Sequence, residues 1–153
     1  MRMTVKNLDK SENKSLEFYV TKGLENNPCA AEIRQKVFVV EQGFVNEFDE
    51  TDKTAFHGTL FVNGKAASTV RLFEENTGWH IGRIAVLPEF RKTGLGAETV
   101  KRAEELAREM KVEKLSLSAQ LRVKDFYERL GYKAEGEVYY DEFCPHILMT
   151  KTL

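Results

Sequence analysis

The sequence predicts a single α+β domain of mixed α/β layers spanning all 153 residues. Three observations carry this reading. Segments with apolar residues every three to four positions alternate with short β-prone runs. Two strong hairpin signals lie close together mid-chain. No linker, repeat or low-complexity stretch divides the sequence. A chain of this length buries roughly two thirds of its unfolded surface, enough for one core.

Taken in order, LEFYVTKG (residues 16–23) is short, β-prone and closed by glycine, as a first strand is. A helix follows. Pro28 stands near its start, and Ala30, Ile33, Val37 and Val40 recur at helical spacing, a stripe that reads as core-facing until Gly43 ends it. FVNEFDETDK is acidic and aperiodic and reads as a loop. Three strands of an antiparallel meander come next, joined at Asn63-Gly64 and around Asn76-Thr77-Gly78. After RKTGLG (residues 91–96), one helical face collects Ala97, Val100, Ala103, Leu106, Ala107 and Met110. KLSLSAQ reads as a strand. Val123, Phe126, Tyr127 and Leu130 mark a further helix that Gly131 closes, and YKAEGEVYY and HILMTKTL complete the sheet.

Composition narrows the function. The net charge of −1 offers no whole-molecule attraction to nucleic acid or to an anionic membrane, so neither is expected as a partner. No apolar run approaches the roughly 20 residues of a spanning helix, and MRMTVKNLDKSENK lacks a signal-peptide core, so a cytoplasmic protein is expected. Cys29 and Cys144 show neither CxxC nor Cys/His ligand spacing. They read as reduced structural thiols, with no metal site.

The chemistry concentrates in RKTGLG. It lacks the GxxxxGK[ST] of a P-loop. It also fits a dinucleotide fingerprint poorly, because Gly94 and Gly96 are followed by Thr99 and the acid, Glu113, precedes KLSLSAQ where it should follow. A pyrophosphate cradled by loop amides at a helix N-terminus suits Arg91, Gly94 and Gly96, since unpaired N–H groups and the helix dipole favour negative charge there. Taken alone, an ordinary glycine-rich turn is an equal reading.

IGRIAVLPEFRKTGLGAETVKRAEELA resembles motif A of the GNAT (Gcn5-related N-acetyltransferase) superfamily, and VKDFYERLGYKAEGEVYY resembles its motif B. VFVVEQ and EVYYDEFCPHILMTK are most similar to the ElaA-type branch. The resemblance implies the GNAT-like acyl-CoA N-acyltransferase fold, a mostly antiparallel sheet splayed at its middle strand with helices on both faces. It implies acetyl-CoA as cofactor, its pyrophosphate on Arg91, Lys92, Thr93, Gly94, Leu95 and Gly96, and its pantetheine on the backbone of Ile84, Ala85 and Val86. Gln120 takes the place where many members have Asn. The activity implied is acetyl transfer within a ternary complex.

Tyr127 matches the family tyrosine that protonates the departing thiolate. The residues alone read it as a core aromatic on the stripe of Phe126 and Leu130. For the acceptor side the candidates are Glu41 and His146, with His57 a second histidine able to titrate near neutrality. Glu47, Asp49, Glu50 and Asp52 either attract a cationic amine or form a solvated acidic loop. The expected acceptor is a small-molecule amine. A protein lysine or N-terminus is the alternative acceptor, a non-catalytic acyl-CoA sensor the alternative class, and monomer and homodimer stay equally open.

Overall fold

The computed structural model describes residues 2–9 and 14–153, the first of these as backbone only. The element order is β1 (Arg2–Asp9), β2 (Lys14–Lys22), α1 (Pro28–Arg34), β3 (Phe56–Val62), β4 (Lys65–Glu75), β5 (Gly78–Val86), α2 (Leu95–Glu109), β6 (Lys114–Gln120), α3 (Lys124–Arg129), β7 (Lys133–Asp141) and β8 (Cys144–Thr152). The expected meander and closing hairpin are present. An additional strand, β1, precedes the one expected to be first.

All eight strands join one sheet in the order β1-β2-β3-β4-β5-β6-β8-β7. Every pairing is antiparallel except β5 with β6, which run parallel and touch only at Trp79↔Leu115 and His80↔Ser116. Beyond His80 the two strands diverge, and the β6-facing edge of β5 is left unpaired down to Val86. This is the splay expected at the middle strand. It is reinforced by a bulge: the register between β4 and β5 shifts so that Arg83 and Ile84 together oppose Val70, and Arg83 sits at φ 51. A left-handed conformation at a non-glycine residue costs about 1 kcal/mol or more and re-aims the side chain.

Helices cover both faces. On one, Val100, Ala103, Leu106 and Ala107 of α2 pack with Leu60, Leu72, Ile81 and Leu115 in the larger core, which also receives Tyr127. On the other, Ile33 of α1 packs with Val37, Phe38, Phe44, Ala85 and Leu87. The α2 stripe behaves as its spacing predicts.

The α1 stripe does not. Regular helix stops at Arg34 and a π-helical segment, Gln35–Glu41, takes over, with the Gln42 amide bonding the Val37 carbonyl at 3.0 Å. Each widened turn holds an extra residue, so the i, i+3, i+4 register slips. Val37 and Phe38 stay buried, whereas Val40, expected in the core, is 74% exposed.

The acidic segment is also not a solvated loop. It closes with a short 3-10 turn, Glu50–Lys53, and Glu47 and Asp52 are buried. Arg34 reaches both, with Nε 2.8 Å from Glu47 and Nη1 2.7 Å from Asp52. Arg71 contacts Asp49 at 2.7 Å and Asp52 at 2.9 Å, and Arg83 contacts Glu47 at 3.0 Å. Three guanidinium groups from α1, β4 and β5 thus neutralise three carboxylates and pin the segment onto the sheet. His57 belongs to this structural layer as well. It is 1% exposed, its Nε2 lies 3.0 Å from the Asp52 carbonyl, and burial holds its pKa below the ordinary value, so it is no acceptor-side base.

Candidate active site

The splay opens a cleft of about 740 Å³ between β5 and β6. One wall is the free edge of β5, where Ile84, Ala85 and Val86 line it. The opposite wall carries Leu117, Ser118 and Gln120 of β6 with Phe126 and Tyr127 of α3. Because β4 occupies only one edge of β5, alternate amides and carbonyls on the other edge stay open to an extended amide-bearing ligand.

At one end of the cleft the glycine loop runs into α2. Gly94, at φ 83, is the N-cap, and its left-handed backbone turns the chain so that the first amides of the helix face outward without intrahelical acceptors. Gly96 lies under α3, where an added Cβ would meet Phe126 at 3.3 Å, so the loop packs there at backbone thickness. Lys92 is exposed at φ 62, Leu95 is buried and anchors the turn, and the Thr93 hydroxyl bonds the Phe90 carbonyl.

Arg91 lies on the cleft wall and is already engaged. Its two terminal nitrogens form a bidentate pair with Glu41 at 2.6 and 2.7 Å, and its Nε donates to the Val86 carbonyl at 2.9 Å. This places Glu41 at the glycine-loop end. The hydrogen bond from Arg91 holds the Glu41 carboxyl below its ordinary pKa. A carboxylate so stabilised is a poor proton acceptor. Beside it, Gln120 donates to Gln42 at 2.9 Å, a second bond between the π-helical segment and the far wall.

Tyr127 is buried, yet it lines the cleft, and its hydroxyl has no hydrogen-bond partner among the described residues. Burial pushes the phenol well above its ordinary pKa, so it stays protonated at neutral pH. Core aromatic and proton carrier are therefore compatible: the ring packs edge-on against Phe126 and Tyr132 while the oxygen stays unpaired.

His146 enters from β8, opposite Gln120 in the register, and is 6% exposed. Its Nδ1 lies 2.9 Å from the Cys144 carbonyl, and its ring stacks on Tyr139. A carbonyl only accepts, so Nδ1 carries the hydrogen and the neutral ring keeps its lone pair on Nε2. The cleft thus brings Tyr127, His146, Gln120, Arg91 and the Ile84–Val86 edge together.

Several cleft residues have no sequence signal. Arg83 arrives through the bulge, and Gln42 through the π-helical slip. The hairpin tip Asp141–Cys144 also lines the cleft, and its Phe143 ring lies 5.0 Å from that of Phe44, tilted by 31°. Only the break in alternation at YYDEFCP marks that turn.

Comparison with known proteins agrees with this geometry. The profile of the acetyltransferase (GNAT) domain matches residues 11–153. A Bacillus subtilis (strain 168) protein named as an acetyltransferase is 35% identical over 129 residues, covering 80% of this chain and 86% of its own. The crystal structure of an acyl-CoA N-acyltransferase from Pseudomonas aeruginosa superposes with a TM-score of 0.80 at 28% identity over 89% of this chain and 99% of the other. Escherichia coli ElaA shares the fold over 99% of both chains, with a TM-score of 0.75 at 23% identity. With its splayed sheet, glycine loop and matching domain profile, the chain belongs to the GNAT family of acetyltransferases.

Proposed function

We propose that this acetyltransferase moves an acetyl group from acetyl-CoA directly to the primary amine of a small molecule. The observation that carries the reading is the continuity of one cleft, from a cationic glycine loop at a helix start, past an unpaired strand edge, to an unpartnered tyrosine and a tautomerically fixed histidine. The residues fit the donor: Arg91 and the α2 amides suit a pyrophosphate, and the β5 edge suits the two pantetheine amides. The donor supplies an activated thioester.

The chain's own residues manage protons. An aliphatic amine has a pKa of about 10, so it reaches neutral pH mostly as the ammonium and must lose a proton before it attacks. His146 Nε2 is the base in this reading. As the N–C bond forms and the C–S bond breaks, the Tyr127 phenol returns a proton to the leaving thiolate. Proton transfer from His146 restores Tyr127, the second proton lost by the nitrogen leaves to solvent, and an ammonium and a thioester give one amide, one thiol and one released proton.

The Asp141–Cys144 hairpin in the cleft lining, clamped through the Glu142 carboxylate to the Val45 and Asn46 amides, favours a small acceptor over a polypeptide. Steady-state thiol release with acetyl-CoA and a panel of amines, amino sugars and lysine peptides tests the reading. Acetyl-CoA binding without thiol release from any acceptor would leave a non-catalytic sensor. Replacing His146 with Gln is expected to lower kcat/KM at neutral pH, because the amide offers no basic nitrogen to take the proton.

A further prediction follows from the Arg91–Glu41 pair. Both groups are more than a third exposed, so the pair itself is worth at most about 1 kcal/mol. It nevertheless places an anion where the pyrophosphate is expected. Glu41→Gln should tighten coenzyme A binding, by up to about fivefold, and Arg91→Ala should weaken it by about tenfold or more. Calorimetric titration of the two variants checks both signs. Equal affinities throughout would separate Arg91 from the phosphate site.

A further inference from the structure

We propose that the acceptor is an arylalkylamine, a primary amine with one cationic centre on an aromatic body, and that the Asp141–Cys144 hairpin selects it. The inference rests on the N-acetyltransferase reading and names the substrate class of the same site.

The acids that look suited to a cationic amine are already paired within the protein. Glu47, Asp49 and Asp52 are matched by Arg34, Arg71 and Arg83, and Glu41 is held by Arg91. A second ammonium entering the cleft would also meet Arg83 and Arg122 in its lining. A polyamine therefore gains little there.

What the acceptor end offers is aromatic surface. Phe38 and Phe44 are buried with their rings edge-on at 6.3 Å, and Phe143 lies over Phe44 while 59% exposed. An aromatic ring held half in water at the mouth of a cleft stays there only if the backbone beneath it is fixed. Glu142, at φ 54, fixes it. Its two carboxylate oxygens accept from the Val45 and Asn46 amides at 2.9 and 3.0 Å, tying the hairpin to the segment that follows the π-helix. The two clamps hold the turn, and with it the exposed phenyl face.

Next to that face stands the complement to a single ammonium. Asp141 lines the cleft as an exposed carboxylate at the start of the hairpin tip. An amine docked with its aryl group on Phe143 and Phe44 passes its cation by Asp141 toward His146. There it gives up a proton, and its nitrogen forms the new bond to the acetyl carbon as the carbon–sulfur bond breaks.

The test uses the full-length protein and acetyl-CoA, with thiol release measured for 2-phenylethylamine, tyramine, spermidine, glucosamine and a lysine-containing peptide. The expected result is that kcat/KM for the two arylalkylamines exceeds that for each other acceptor by about tenfold or more. Phe143→Ala should raise the KM for 2-phenylethylamine about tenfold with coenzyme A affinity unchanged, and Phe143→Trp should restore it. Asp141→Asn should raise the same KM at low ionic strength more than at high. Preference for spermidine, glucosamine or the peptide would overturn the assignment while the N-acetyltransferase reading stood. Unaltered kinetics in both Phe143→Ala and Asp141→Asn would also overturn it. Coenzyme A binding with no turnover of any amine would overturn the underlying reading, and this assignment with it.

Discussion

Tyr127→Phe is expected to leave coenzyme A affinity and thermal stability close to those of the parent and to lower kcat by about 10²-fold or more, the usual contribution of a positioned general acid. The substitution removes one oxygen that has no partner among the described residues and keeps the ring contacts with Phe126 and Tyr132. A purely structural tyrosine would therefore show almost nothing, and so the comparison is decisive. Chemistry must be shown to limit turnover, for example by a single-turnover burst. Because burial raises the phenol above its ordinary pKa, Tyr127 should contribute no alkaline limb to the profile below pH 10. Parental kcat under chemistry-limited conditions would return Tyr127 to a packing role.

The second large effect concerns Arg34, whose guanidinium is 1% exposed and donates to Glu47 and Asp52. Arg34→Met should destabilise the fold by about 3–5 kcal/mol, since removing one partner leaves buried carboxylates without their nearest compensating charge. In a chain of this size, that lowers Tm by roughly 10 °C. The loop carrying Phe44 and Glu47 should loosen first, so KM for the acceptor should rise before coenzyme A binding suffers.

The pH dependence has a definite sign. Burial raises the Asp52 pKa, but hydrogen bonds and the charges of Arg34 and Arg71 outweigh that and bring it from 3.8 down to about 2. A depressed folded-state pKa contributes stability above the unfolded value that is lost as pH falls. About 2 kcal/mol should therefore disappear between roughly pH 4 and pH 2. Glu47 runs the other way, because burial outweighs Arg83 and Arg34 and raises its pKa. Its contribution weakens stability as pH rises through the ordinary carboxylate range. Chemical denaturation of Asp52→Asn should show a shallower loss on acidification than the parent. An unchanged slope would remove Asp52 from the balance.

The legible part of this protein is the part encoded locally. RKTGLG announces a turn into a helix that can hold an anion, because glycine conformation and helix-end amides depend on a few neighbouring residues. The α2 stripe, the Asn63-Gly64 turn and the closing hairpin are local in the same sense, and each stands where its spacing puts it. Side-chain partners across the fold are not local. FVNEFDETDK reads as free negative charge until sheet register brings Arg71 of β4 and Arg83 of β5 against it, 19 to 36 residues away in sequence. Glu41 reads as a neighbour of the acceptor amine, and in the fold it pairs with Arg91, 50 residues on. Val40 reads as core until the π-helical slip turns it to solvent. The sequence by itself determined the α+β layering and the glycine turn into a helix, through periodicity and backbone preference. Tertiary structure alone decided which charges are spent on one another and which face the cleft, because burial makes an unpaired charge so costly that pairing follows proximity in space.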